Sequence, residues 1–176
     1  MTKYVPLADS VFDQPDDHFL FESTYYCLLG LFGDQFPSAK TIEAREDVPD
    51  SAKAGWHLWL FAINVASGGI PDFLLNHCSS AEQMILTHRA LKTVQADEML
   101  VLLEAAFPFI KEIARKSGRS GAFPSQEWFE QFHVNPDFPE LENISKPSWL
   151  LAEAKLSAVV AKYLRAHRSE LQRKSH

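Results

Sequence analysis

Seven histidines, two cysteines and a surplus of carboxylates are the residues of this chain that could carry chemistry. The histidines are His18, His57, His77, His88, His133, His167 and His176. None belongs to an HExxH motif, and no two stand three or four residues apart on one helical face. His77 and Cys78 are adjacent, too close to share one ion comfortably. Zinc needs three or four converging ligands, so the spacing predicts no metal site and no cofactor. GxSxG, GxxxxGK[ST] and GxGxxG are all missing, which removes the standard nucleophile elbow and phosphate loops. Cys78 could pair with His77 or His57 only through the fold, since a Cys/His dyad is set by proximity in space. Adjacent carboxylates occur at Asp16/Asp17 and Glu46/Asp47. Carboxylates favour helix starts and solvated loops, and these are read as such. Cys27 and Cys78 lack CxxC spacing and sit in or beside apolar stretches. Both are expected to be free thiols, which suits a reducing compartment.

The least ordinary stretch is Ser67-Gly68-Gly69-Ile70-Pro71-Asp72-Phe73-Leu74-Leu75-Asn76. Glycines that open a helix leave outward N–H groups, which can hold an anion. The same glycines are needed for a tight helix–helix corner on geometry alone, and the corner is the expectation.

The elements that position these residues read as helices. Asp16 and Asp17 suit a helix start, and Phe21, Tyr25, Leu28, Leu29 and Phe32 recur at helical spacing up to Gly33. Residues 34–51 form an acidic connection with a short helix at 40–46. Ala52 to Val65 is a second helix, with Trp56, Trp59, Leu60 and Ile63 inward, broken by Ser67-Gly68-Gly69. Pro71 suits the first turn of a short helix that Asn76 ends. Ser80-Ala-Glu-Gln83 is a capping-box pattern. It opens a helix to Val94 with Met84, Ile85, Leu91 and Val94 inward. Another helix runs from Asp97 towards Lys116, kinked or restarted at Pro108. A loop at 117–121, a short helix at 125–133 and a Pro-interrupted connection at 135–147 follow. Ser148 opens the last helix, to about Arg168. The fold class is all-α, a single globular domain of about six to seven helices. An acidic part (1–50), a core (51–168) and a basic tail (169–176) divide it.

The chain has 176 residues, 46% of them hydrophobic, enough for a core without staples. No segment approaches the roughly 20 apolar residues that span a bilayer, and the start has no signal-peptide core, so a cytoplasmic protein is expected. Net charge is −6 and unevenly spread. Residues 1–50 hold ten acids against three bases, while residues 151–176 hold six bases against two acids. An acidic chain is a poor direct ligand for nucleic acid, which needs clustered Lys and Arg.

The residues Trp56, Leu60 and Asn64, then Ser67-Gly68-Gly69-Ile70 and Asp72-Phe73-Leu74-Leu75-Asn76, form a pattern. With the Glu98–Phe107 helix and the Ala161-Lys-Tyr-Leu-Arg-Ala-His167 end, it resembles a family of bacterial DNA-mimic proteins over roughly residues 50–168. That family usually has Asn-Gly-Gly-Phe, then Gln and two aromatics, then Asn. Here Ser67, Ile70, Asp72 and Leu74-Leu75 depart from it. The resemblance implies an all-helical, non-enzymatic cytoplasmic protein that offers acidic side chains, spaced like phosphates, to a DNA-binding protein. Copying ten base pairs takes on the order of 20 charges on one face, so a net charge of −6 restricts the mimicry to a small patch.

Three functional readings stay open. The first is a protein that binds a basic DNA- or RNA-binding partner through Asp9, Asp13, Asp16, Asp17, Glu43, Glu46, Asp47 and Asp50, with 43–50 weighted above the helix-capping pair. The second is an immunity-type inhibitor of a toxin, since charge steering speeds association. The third is an enzyme with a dispersed site. A contiguous acidic face supports the first two, and a deep cleft with converging polar groups supports the third.

Overall fold

A computed structural model describes residues 3–33, 35–70, 73, 81–116, 144 and 147–172. The chain is all-α, and the described residues contain no strand beyond one isolated bridge between Leu7 and Gln172. A one-turn helix α1 (Asp9–Phe12) precedes α2 (Asp17–Leu29), which ends in a 3-10 turn at Gly30–Phe32. Next come α3 (Ala39–Glu43), α4 (Asp50–Gly68), α5 (Ala81–Val94) and α6 (Asp97–Lys116). A π-helical turn at Ala152–Leu156 leads into α7 (Ser157–Ala166), and α8 (Arg168–Leu171) closes the described chain. The single-turn helices α1 and α8 are too short for any periodicity to reveal.

Local chemistry sets the boundaries. Asp16 caps α2 by accepting the N–H groups of His18 at 2.9 Å and Phe19 at 3.2 Å. Gly33, at φ 62°, stops the turn after α2. Ser38 caps α3 through the Thr41 N–H. The second long helix outruns its expected end. α4 continues through Ser67 and Gly68, and Gly69 alone, at φ 78° and ψ −170°, breaks it. Its N–H closes the helix on the Val65 carbonyl at 2.7 Å. α6 is helical on both sides of Pro108 with no restart, so the missing N–H removes one bond without ending the helix. The last helix is already helical at residue 147, and Ser148 is buried inside it rather than capping it. Its hydroxyl accepts the Ile70 N–H at 3.3 Å, tying the Gly69 corner to the end of the fold. Pro71, Asp72, residues 74–80 and the elements expected at 117–121, 125–133 and 135–143 lie outside the described residues.

α4 is the central helix and packs against α2, α5 and α7. Its Trp56 is fully buried and stacks on Tyr25 of α2 at 4.8 Å, while Trp59 meets Phe21 edge-on at 5.0 Å. Gly55 lets α2 and α4 approach closely, since a Cβ there would sit 3.0 Å from the Thr24 methyl. Beyond the corner, buried Phe73 meets Phe61 edge-on at 4.8 Å. Two expected core positions face solvent instead. On α5 the neighbour Leu86 is buried and Ile85 is 57% exposed, and on α4 Ile63 is exposed. A 3.6-residue period puts adjacent positions about 100° apart, so spacing alone leaves that one-residue choice open.

Candidate functional site

The carboxylates of the acidic part separate into three environments. The first is the N-terminal arm, where the basic end of the chain meets the acidic beginning. Leu7 donates its N–H to the Leu171 carbonyl at 2.9 Å, and Leu7, Phe12 and Leu171 are buried. This anchors the arm beside α7 and α8. Arg168 then forks, with one nitrogen 2.8 Å from Asp13 and the other 3.0 Å from Asp9, and its guanidinium lies over the Phe12 ring. Arg165 pairs with Asp17 and donates to the Gln14 carbonyl at 3.0 Å. The Gln172 amide donates to Asp9. Asp16 is occupied by its cap. The uneven charge of the sequence is therefore partly resolved inside the molecule.

The second environment is half-buried. Glu43, at the end of α3, faces His57 on α4, with His57 Nε2 3.0 Å from its carboxylate. The other ring nitrogen, Nδ1, is 3.2 Å from the Gln83 amide nitrogen, which also donates to Thr87 at 3.2 Å. His57, Gln83 and Thr87 are all buried. The groups can all be satisfied together, with Gln83 donating to Nδ1 and to Thr87 and His57 donating from Nε2 to Glu43. The His57 hydrogen bond, with Lys53 and Arg89 nearby, holds the Glu43 carboxyl below its ordinary range. A cavity of about 290 Å³ opens beside this network, lined by Glu43, Asp50, Lys53, His57, Arg89 and Tyr163 among others. Its two acids face two bases, and both nitrogens of its histidine are engaged.

The third environment is the bend between α3 and α4. Arg45, only 8% exposed at its side chain, is held by both oxygens of Asp47, with Nε at 2.6 Å and Nη2 at 2.7 Å. Asp47 also accepts the Tyr4 N–H at 3.0 Å. The Arg45 hydrogen bonds keep the Asp47 carboxyl far below its usual range. Glu46 is exposed, and Asp50 is 97% exposed with a loose 3.5 Å contact to Lys53. Ser51 holds Glu170 beside this bend at 2.9 Å. The sequence reading weights 43–50 as one acidic cluster. The geometry divides it. Glu43 and Asp47 carry structural bonds, while Glu46 and Asp50 project into water.

Asp47→Asn should therefore destabilise the fold, since it removes the charge from a carboxylate that holds the Arg45 guanidinium through two hydrogen bonds. Asp47 is 42% exposed, so water offsets part of the loss, and about 1 kcal/mol is expected at neutral pH. A carboxyl whose native pKa is depressed stabilises above its unfolded pKa, about 3.9. That contribution is lost as pH falls through the lower native value. The gap between wild type and Asp47→Asn in chemical denaturation should thus close as pH drops below about 4.

The residues carried by the family resemblance sit in the core and at the corner. Trp56 and Asn64 are buried, and Asn64 Nδ2 donates to the Leu60 carbonyl at 2.7 Å. Ser67 is exposed on the last turn of α4 and donates to the Ile63 carbonyl. Gly68 is the last residue of α4, Gly69 breaks it, and Phe73 is buried. Asp72 and Asn76 lie outside the described residues. The Ile70 N–H donates to Ser148.

Among the described residues no group of three or more His, Cys, Asp or Glu could hold a metal ion, and no helix is long and apolar enough to cross a membrane. Cys27 is a free, half-buried thiol whose Sγ donates to the Val5 carbonyl, and burial pushes its pKa up to about 11. It therefore stays protonated and weakly reactive at neutral pH. Cys78 lies outside the described residues.

Sequence reasoning did not anticipate the roles of Arg165, Arg168 and the His57–Gln83 pair. The signal for the two arginines is the charge asymmetry itself, since opposite charge at the two ends of a chain is also what pairs the ends. For Gln83, the capping-box pattern misleads, because its side chain turns inward to His57 and Thr87.

No curated protein and no solved structure matches the chain significantly. A family model, described as DMP19-like protein, matches residues 46–167, more than half of the chain. That span begins at the α3–α4 bend and takes in α4, α5, α6 and α7, and the chain belongs to the DMP19-like protein family.

Proposed function

We propose that this chain is a non-enzymatic protein that binds a basic nucleic-acid-binding protein by offering it a small patch of DNA-like negative charge. The observation that carries the reading is the family match over residues 46–167, together with the resemblance of that core to DNA-mimic proteins. Asp13, Asp16, Asp17 and Glu43 fall outside the matched span, whereas Glu46, Asp47 and Asp50 fall within it. Of these, Glu46 and Asp50 have charges least compensated from within. The patch is centred on them, with Glu170 beside it. The basic last helix and the internal ion pairs limit mimicry to a short stretch of phosphates, far below a full turn of duplex.

The test is competition. A protein captured by this chain should bind duplex DNA on its own, and the two should exclude each other, with capture weakening steeply as salt rises. Simultaneous binding of DNA and this chain to the captured protein would remove the mimicry reading. Capture of a toxin with no affinity for DNA would favour an immunity-type role instead.

A further inference from the structure

We propose that the cavity between α4 and α5 binds a small zwitterion of the α-amino-acid class, with Lys53 and Arg89 taking its carboxylate and Glu43 its ammonium group. The cavity holds about 290 Å³ and is flanked by the end of α3 and by Tyr163 of α7. Small-molecule sites hold roughly 300–1,000 Å³, so this one suits a ligand of amino-acid size better than a nucleotide. Lys53 is the first sign of a ligand. Its side chain is only 12% exposed, and a lysine is rarely buried without a close partner. The ammonium has three protons to donate. Its acceptors are the Glu43 carbonyl at 3.3 Å and Asp50 at 3.5 Å, and the Asp50 side chain is 97% exposed. Both contacts are long beside a charge-assisted bond, which closes to about 2.7–2.9 Å. Arg89 is a second cation on the same cavity, and among the described residues it has no ion pair or side-chain hydrogen bond. Two cations with unspent donors fit a carboxylate, which accepts several hydrogen bonds at once. Glu43 supplies the opposite charge. One of its oxygens accepts from His57, and the other carries no hydrogen bond among the described residues. Buried His57, held in turn by Gln83, fixes that carboxylate in place. A simple anion would sit against Glu43 and Asp50, and a simple cation against Lys53 and Arg89. A molecule that carries both charges a few bonds apart meets neither repulsion. Leu86, Ala90 and Tyr163 complete the lining and give its side chain an apolar wall.

The probes are the free L-α-amino acids, titrated one at a time into isotope-labelled wild-type protein. At least one should bind saturably and shift the His57, Thr93 and Tyr163 resonances together. For that amino acid, the amide, which lacks the carboxylate charge, and the N-acetyl derivative, which lacks the ammonium, should each bind on the order of tenfold more weakly. Arg89→Gln, at an exposed position, should weaken binding by a similar factor. Lys92→Gln, exposed on the same helix and off the cavity, should change it little. Failure of every amino acid to shift those resonances would overturn the proposal. Equal affinity for the parent and its two derivatives would do the same, as would equal losses in the two variants. Should Arg89→Gln fold poorly, the wild-type titrations with parent and derivatives still decide. No protein partner enters the measurement, so its outcome is separate from that of the acidic-patch reading.

Discussion

Replacing His57 by alanine is expected to destabilise the protein by about 2–4 kcal/mol. The ring is buried on α4 and satisfies two neighbours at once, Glu43 through Nε2 and Gln83 through Nδ1. Alanine removes both bonds, leaves a buried amide short of a partner and opens a void. Each loss on its own costs on the order of 1–3 kcal/mol. Glu43 is half-exposed, so water replaces part of what it loses. Chemical denaturation followed by circular dichroism would measure the change. A shift below about 0.5 kcal/mol, the range of ordinary surface substitutions, would show that the network does not hold α3, α4 and α5 together. Gln83→Leu should cost less than His57→Ala, because it removes a buried polar partner while keeping most of the volume.

Gly69→Val is the second large effect, with an expected cost of roughly 2–3 kcal/mol. At φ 78° and ψ −170° the residue sits in a region that is essentially restricted to glycine. A β-branched side chain would have to be accommodated there at a buried position, between the end of α4 and buried Ile70. Relief by shifting the backbone would disturb the Ile70–Ser148 hydrogen bond that ties the corner to the last helix. A thermal melting temperature equal to that of wild type would remove the strained-corner account.

Much of the fold was legible in the sequence, because α4, α5 and α6 each carry an apolar stripe long enough to show its period. Helix caps follow rules of local chemistry, as at Asp16 and Gly33. The corner was legible too, but only as a pair of glycines. Which glycine carries the positive φ depends on where α4 runs out, and that is set by packing against α2 and the last helix. Single-turn helices such as α1 and α8 have no period to detect. The π turn at Ala152–Leu156 likewise leaves no mark in residue spacing. The candidate site was legible at the level of charge and not of pairing. Asp9, Asp13 and Asp17 look like free surface acids until α7 and α8 bring Arg165 and Arg168 from about 150 residues downstream. Asp47 looks interchangeable with Glu46 until Arg45 is seen folding back onto it. Sequence distance says nothing about either contact, since tertiary packing creates both.

The central claim, that residual negative charge at the α3–α4 bend is what a basic partner reads, is tested most directly by association kinetics. Glu46→Gln/Asp50→Asn removes the two acids that project into water and spares the structural carboxylates of Glu43 and Asp47. Stability should change by no more than about 0.5–1 kcal/mol, since both sites are exposed and Asp50 contributes a helix-start charge and a loose contact to Lys53. The on-rate to the DNA-competitive partner should fall, and its dependence on salt should flatten, because exposed charges act mainly through steering over about 8 Å at physiological ionic strength. An unchanged on-rate and an unchanged salt slope in a well-folded variant would contradict the claim.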